Sequence, residues 1–126
     1  MPETPFFQIP LNLPHAGRIA ARINTMLDRE GTPSQETVKT ADRLQAVLQP
    51  YCDSDENPRA DLAARVRDQA AMLGRQLVVR IDSERLGHDR LGQCIRNLFE
   101  CLELGREGAE ISLLAGENPK SFQRPT

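Results

Sequence analysis

Leu73-Gly74-Arg75-Gln76-Leu77-Val78-Val79-Arg80-Ile81-Asp82 decides how the chain is read. Upstream of it, Leu62, Val66, Ala70 and Leu73 recur at helical spacing, which predicts a helix over about 59–74. Gly74 stands where a helix would stop. Residues 76–82 are short and β-branched and read as a strand. Downstream, residues 86–104 give the strongest helical pattern: Leu91, Ile95, Leu98 and Leu102 form one stripe, widened by Cys94, Phe99 and Cys101. An apolar arc that wide packs on a sheet or is buried on two sides. Residues 105–108 read as a turn. Residues 109–115, with polar Glu110 and Ser112 between apolar neighbours, read as a second strand. Strand, helix and strand in that order lay two parallel strands side by side under a crossover helix. Two strands alone are marginal, so they would lean on the helices or on a second chain.

Residues 15–50 read as a helical hairpin. Ala16, Ile19, Ala20, Ile23, Met26 and Leu27 make one stripe, with Pro14 suited to the first turn and Gly31 to a left-handed stop. Thr32, Pro33 and Gln35 then supply an N-cap, a first-turn proline and a capping-box glutamine for a second helix to about Gln49, which Pro50 ends. A connection of one or two residues implies antiparallel packing. The expected fold class is therefore α+β and mostly helical: an N-terminal antiparallel hairpin over 15–50, then an α-β-α-β unit with a small sheet over 58–115. Residues 1–14, with prolines at 2, 5, 10 and 14, read as an extended arm, and residues 116–126 as a tail. Phe6, Phe7, Ile9 and Leu11 make that arm the candidate partner-binding element.

Residues 51–58 form an acidic loop in which Asn57 suits an N-cap and Pro58 a first helical position. Asp53, Asp55 and Asn57 follow the first ligand spacings of a calcium loop, but Pro58 replaces its glycine and Ala64 its bidentate glutamate, so the loop reads as solvated. Asp82, Glu84 and Asp89 read as turn and first-turn acids that favour the N-terminus of the helix after them.

The 126 residues set a single domain as the expectation. Sixteen Lys and Arg against eighteen Asp and Glu leave a net charge of −2, with no basic field to track phosphates, so nucleic acid is not an expected partner. No apolar run approaches the ~20 residues of a membrane span, and Met1-Pro2-Glu3-Thr4-Pro5 lacks the basic start of a secretory signal. Three cysteines, an odd number, point to reduced thiols and to the cytoplasm. Phosphate-loop, CxxC and GxSxG patterns are missing from the sequence, so no metal or cofactor is expected and an enzymatic role less so than a binding one.

One segment resembles a known family. Arg90-Leu91-Gly92-Gln93-Cys94-Ile95-Arg96-Asn97-Leu98-Phe99-Glu100-Cys101-Leu102, followed by a glycine turn and Glu110-Ile111-Ser112-Leu113, resembles the first part of the ATP-binding domain of sensor histidine kinases. That family carries R-L-x-Q-x-x-x-N-L-x-x-N-A, then a turn and an E-I-x-V strand. The resemblance implies that the hairpin corresponds to the dimerisation and phosphotransfer hairpin, with His15 the candidate phospho-acceptor. Asn97 matches the first asparagine of the nucleotide box. Cys101 replaces the second, and a neutral thiol is a poor ligand for magnesium. The glycine-rich nucleotide boxes that follow in the family are not found after residue 113. The expected function is thus a non-catalytic regulatory protein of two-component-type signalling. It would contact a kinase or a response regulator and form a homodimer through its hairpin. The alternative is a small acidic chaperone or anti-activator that holds a secreted or regulatory protein.

Overall fold

The computed structural model describes residues 11–104, and the fold in it is an up-down-up-down bundle of four helices. They are α1 (Leu13–Glu30), α2 (Gln35–Leu48), α3 (Ala60–Ser83) and α4 (Asp89–Cys101). A single turn of 3-10 helix, Gln49–Tyr51, follows α2. Among the described residues there is no strand. The α-β-α-β unit expected over 58–115 is therefore corrected: its first strand is the C-terminal third of α3. The second expected strand, 109–115, the tail 116–126 and residues 1–10 of the arm lie outside the described residues.

The reason residues 76–82 are helical is the spacing of their burial. Leu77, Val78 and Ile81 are buried, while Val79 is 66% exposed. A strand would put residues 77, 79 and 81 on one face. The helix instead extends the stripe of Ala63, Val66, Ala70 and Leu73 by two more turns, and burial of three large side chains outweighs the β preference of the valines.

Gly74 is not a stop but a place of close approach. A Cβ there would meet Phe99 Cζ at 3.0 Å and Cε1 at 3.1 Å. Phe99 is itself fully buried. The bare backbone of α3 lets the ring of α4 lie against it. Elsewhere α4 packs mainly on α1, and α2 packs between α1 and α3. Asn24 Nδ2 donates to Asp42 Oδ1 at 2.9 Å and Gln45 Oε1 at 2.8 Å, and Asn12 N donates to Cys101 O at 2.8 Å. The last bond sets the start of α1 beside the end of α4, and Gly17 lies against Leu48 at the end of α2, so both neighbours run antiparallel to α1.

The true stop of α3 carries no glycine. Arg85 takes the left-handed conformation at φ 58°, Leu86 N donates to Ile81 O at 2.9 Å, and Arg85 N donates to Asp82 O at 3.2 Å. The same pair of bonds closes α4, where Glu103 sits at φ 64° and Leu104 N reaches Phe99 O at 2.7 Å. Both ends are Schellman motifs with an apolar residue, Leu86 or Leu104, folded back on the core. Gly31 is extended at φ −160°, not left-handed, and a Cβ on it would come within 2.9 Å of Leu86 Cδ2. The link between α1 and α2 is four residues, 31–34, and Ser34 rather than Thr32 caps α2.

That cap is shared with α3. Glu84 Oε1 accepts from Ser34 N at 2.9 Å, and its Oε2 accepts from Ser34 Oγ at 2.6 Å and Thr37 Oγ1 at 2.8 Å. The carboxylate thus serves the N-terminus of α2, not that of the following helix. The donors of Ser34, followed by Thr37 and Arg80, hold the Glu84 carboxyl below its ordinary range against the opposing effect of burial. Arg80 also pairs with Glu36 at 3.7 Å on the α2–α3 seam.

Two predictions follow from these contacts. Gly74→Ala gains about 1 kcal/mol of helix propensity but forces Cβ onto a ring that is walled in, so urea unfolding should show a net loss of about 1–2 kcal/mol. In a Phe99→Leu background the same substitution should cost less, which a double-mutant cycle measures. Glu84 has a lowered folded pKa, so its contribution is complete above the unfolded value and fades as pH falls through the folded one. The melting-temperature gap between wild type and Glu84→Gln should be widest above about pH 5 and close toward pH 3. A gap that grew on acidification would contradict this.

Candidate functional site

The end of the bundle where α1 begins and α4 finishes brings together Leu11, His15, Asn57 and Cys101. Asn57 does not cap α3, whose N-cap is Arg59 without a side-chain bond. Its amide instead imitates a strand partner. Asn57 Oδ1 accepts from Leu13 N at 2.8 Å and Asn57 Nδ2 donates to Leu11 O at 2.8 Å. Asn12 caps α1 by accepting from His15 N at 3.0 Å, and its own N–H goes to Cys101 O. The backbone of residues 11–13 is thus held from both sides as it enters the helix. Beside it lies an open groove of about 490 Å³, lined by Leu11, Asn57 and Glu103 and, from the start of α3, by Pro58, Ala60, Ala63, Ala64 and Arg67.

His15 is exposed in the first turn of α1, a turn without an acidic residue. Asn97 is half-buried on α4, and its Oδ1 accepts from Gln93 Nε2 at 3.1 Å on the same helix. Cys101, one turn on, is buried at the end of α4, and burial, assisted by Glu100, pushes its thiol up to about 11. It is a neutral core side chain there. Cys94 is raised chiefly by burial, against the pull of Arg22, and its Sγ lies 3.8 Å from Met26 Sδ. Cys52, half-buried below the 3-10 turn, is raised by burial and by Asp53, with Arg18 opposing. Burial raises every thiol and favours none as a thiolate nucleophile. His88 is the N-cap of α4, its Nδ1 accepting from Leu91 N at 3.2 Å. Among the described residues no three His, Cys, Asp or Glu side chains are grouped to hold a metal. Of the arm residues, Leu11 is half-buried on the groove wall, and Phe6, Phe7 and Ile9 lie outside the described residues.

A second surface was hidden by reading residues 76–82 as a strand. On the outer face of α3, Met72 is 48% exposed and Val79 66%, two turns apart. Arg65, Asp68, Arg75 and Asp82 flank them at alternating spacings of three and four, so one stripe runs along the helix. Once α3 is known to be continuous, that stripe follows from the helical period. Comparison with protein-family models, with curated proteins and with solved structures finds no match to this chain.

Asn57 holds two backbone groups at once. Asn57→Ala should destabilise by about 1 kcal/mol and speed hydrogen exchange of the Leu13 amide. Asn57→Asp, which keeps the acceptor for Leu13 but loses the donor to Leu11, should protect that amide better than alanine does.

Proposed function

We propose that the chain is a non-catalytic regulatory protein that acts by protein–protein contact, with the outer face of α3 as its contact surface. The observation that carries this reading is the exposure of Met72 and Val79 on one stripe of a helix whose opposite face is fully packed. Burying what these two side chains still expose against a partner supplies about 1–2 kcal/mol each. The alternating charges beside them add orientation more than affinity. The resemblance of residues 90–113 favours a sensor kinase or a response regulator as that partner, and the homodimer of the same reading forms through the hairpin of α1 and α2. The three cysteines are free thiols, which fits a reducing compartment and supports a cytoplasmic place of work. Among the described residues no helix is long and apolar enough to cross a membrane.

A second reading, the small acidic chaperone or anti-activator, is favoured by one observation, the groove beside Leu11. It is open, mostly apolar and framed by extended backbone, which suits an extended segment of another polypeptide.

The full chain should bind one or more members of a panel of purified sensor-kinase cores and receiver domains. Met72→Glu and Val79→Glu should each weaken that binding at least tenfold (about 1.4 kcal/mol) while leaving the melting temperature nearly unchanged, because both side chains are exposed. Binding that both variants retain would remove α3 as the surface. Sedimentation should show a homodimer that both variants retain, because it forms through the α1–α2 hairpin and not through the outer face of α3.

A further inference from the structure

We propose that the homodimer forms by exchange: the α1–α2 hairpin of each copy packs on α3 and α4 of the other, with residues 53–56 as the hinge. This rests on the homodimer of the proposed function and states how the hairpin can make it. The starting point is that the hairpin has no apolar face to spare. Ile19, Ile23 and Leu27 of α1 and Ala41, Leu44 and Leu48 of α2 are all buried in the core of their own chain. Among the described residues of α1 and α2 only one large apolar side chain is exposed, Val38 at 38%. Around it the outer seam carries Asn24, Thr25, Asp28, Asp42 and Gln45. A stable interface takes roughly 800 Å² from each partner around an apolar centre. One partly exposed valine among carboxylates and amides does not supply that centre, and Asp28 and Asp42 of two copies would repel one another. The face able to hold a second copy is therefore the buried one. It is reached when the hairpin leaves its own α3 and α4 for those of the partner.

The contacts divide the chain into two halves on either side of that hinge. Within the first, Asn24 bonds Asp42 and Gln45, and Cys52 Sγ donates to Leu48 O at 3.6 Å. Within the second, Phe99 lies on Gly74. Between the halves, Cys94 Sγ meets Met26 Sδ, Glu84 accepts from Ser34 and Thr37, and Asn57 holds Leu11 and Leu13. An exchanged dimer remakes each of these cross-contacts between copies, so the burial given up on opening is regained. What changes is the link. Asp53, Ser54, Asp55 and Glu56 are all exposed. Ser54 Oγ donates to Glu56 O at 2.9 Å and accepts from Glu56 N at 3.1 Å, and Ser54 N donates to Tyr51 O at 3.2 Å. These are turn bonds at the surface, which water replaces at small cost. Pro58 disfavours helical backbone at Asn57, so the opened link stays extended and is not absorbed into α3.

The test uses the full chain. Isotope-labelled and unlabelled copies are mixed in urea and refolded together at high concentration, and the dimer is isolated by size exclusion. Isotope-filtered nuclear Overhauser spectra should show the Met26 methyl close to Cys94, and the Thr37 methyl close to Glu84, between labelled and unlabelled copies. The Phe99 ring and Gly74 should stay close within one copy. Ser54→Pro removes the Ser54 bonds and holds Asp53 extended, so it should raise the dimer fraction at equal concentration with helicity unchanged. A dimer whose Met26–Cys94 and Thr37–Glu84 contacts all lie within one copy would overturn the exchange and leave the homodimer standing. A dimer fraction that Ser54→Pro leaves unchanged or lowers would overturn the hinge. A chain that stays monomeric at every concentration would remove the homodimer and the exchange with it.

Discussion

The edge of Phe99 against the bare backbone of Gly74 is the contact on which closure of the bundle depends. α1 has two well-packed neighbours and α2 has two, but α3 and α4 meet over little else. At this one place the helices approach until a Cβ would touch the ring. The glycine costs α3 about 1 kcal/mol of helix propensity. That loss is offset by the complete burial of a phenyl ring in the core. Without the close approach, the apolar arc of α4 would be covered by α1 alone, which is too narrow for the stripe that Leu91, Cys94, Ile95, Leu98, Phe99 and Cys101 present.

The two ends of the bundle are tied by polar side chains that serve a neighbour's backbone. Asn57 serves the strand-like entry of α1, and Glu84 serves the N-terminus of α2. Each links segments more than forty residues apart. A helix leaves its first amides unpartnered, and a carboxylate there also meets the positive end of the dipole. Borrowing the carboxylate from α3 satisfies α2 and at the same time sets where α3 must end. The left-handed Arg85 and Glu103 follow from the same constraint. Each helix has to stop at a fixed place to fold Leu86 or Leu104 back on the core, and neither stop was given a glycine.

The helical periodicity of α1, α2 and α4 is plain in the residues, and so is the place of Asp89 in the first turn of α4. What misled was the pair of signals at Gly74 and residues 76–82. A glycine is a helix stop only where the backbone turns left-handed; inside a helix it marks a close neighbour, and that neighbour, Phe99, is twenty-five residues away in sequence. Likewise, Val78, Val79 and Ile81 carry β preference, yet a single exposed valine between buried ones is a helical signature that composition alone does not separate from a strand. Asn57 and Glu84 were legible as polar loop residues. Their targets, Leu11, Leu13, Ser34 and Thr37, were not, because those pairings exist only after the helices have been brought together.

The residues that carry the resemblance to the kinase nucleotide box divide in a way that explains why such a pattern suits this bundle. Leu91, Ile95, Leu98, Cys101 and Leu102 are core, and Gln93 and Asn97 bond to each other one turn apart toward the outside. An arginine, a leucine stripe and two amides at i and i+4 are what a short amphipathic helix needs when one side is wholly buried and the other faces water. At position 101 the side chain points inward, where an asparagine would be a buried amide without an assured partner and a cysteine is a small apolar filler. Packing alone therefore accounts for a cysteine at this position of the helix.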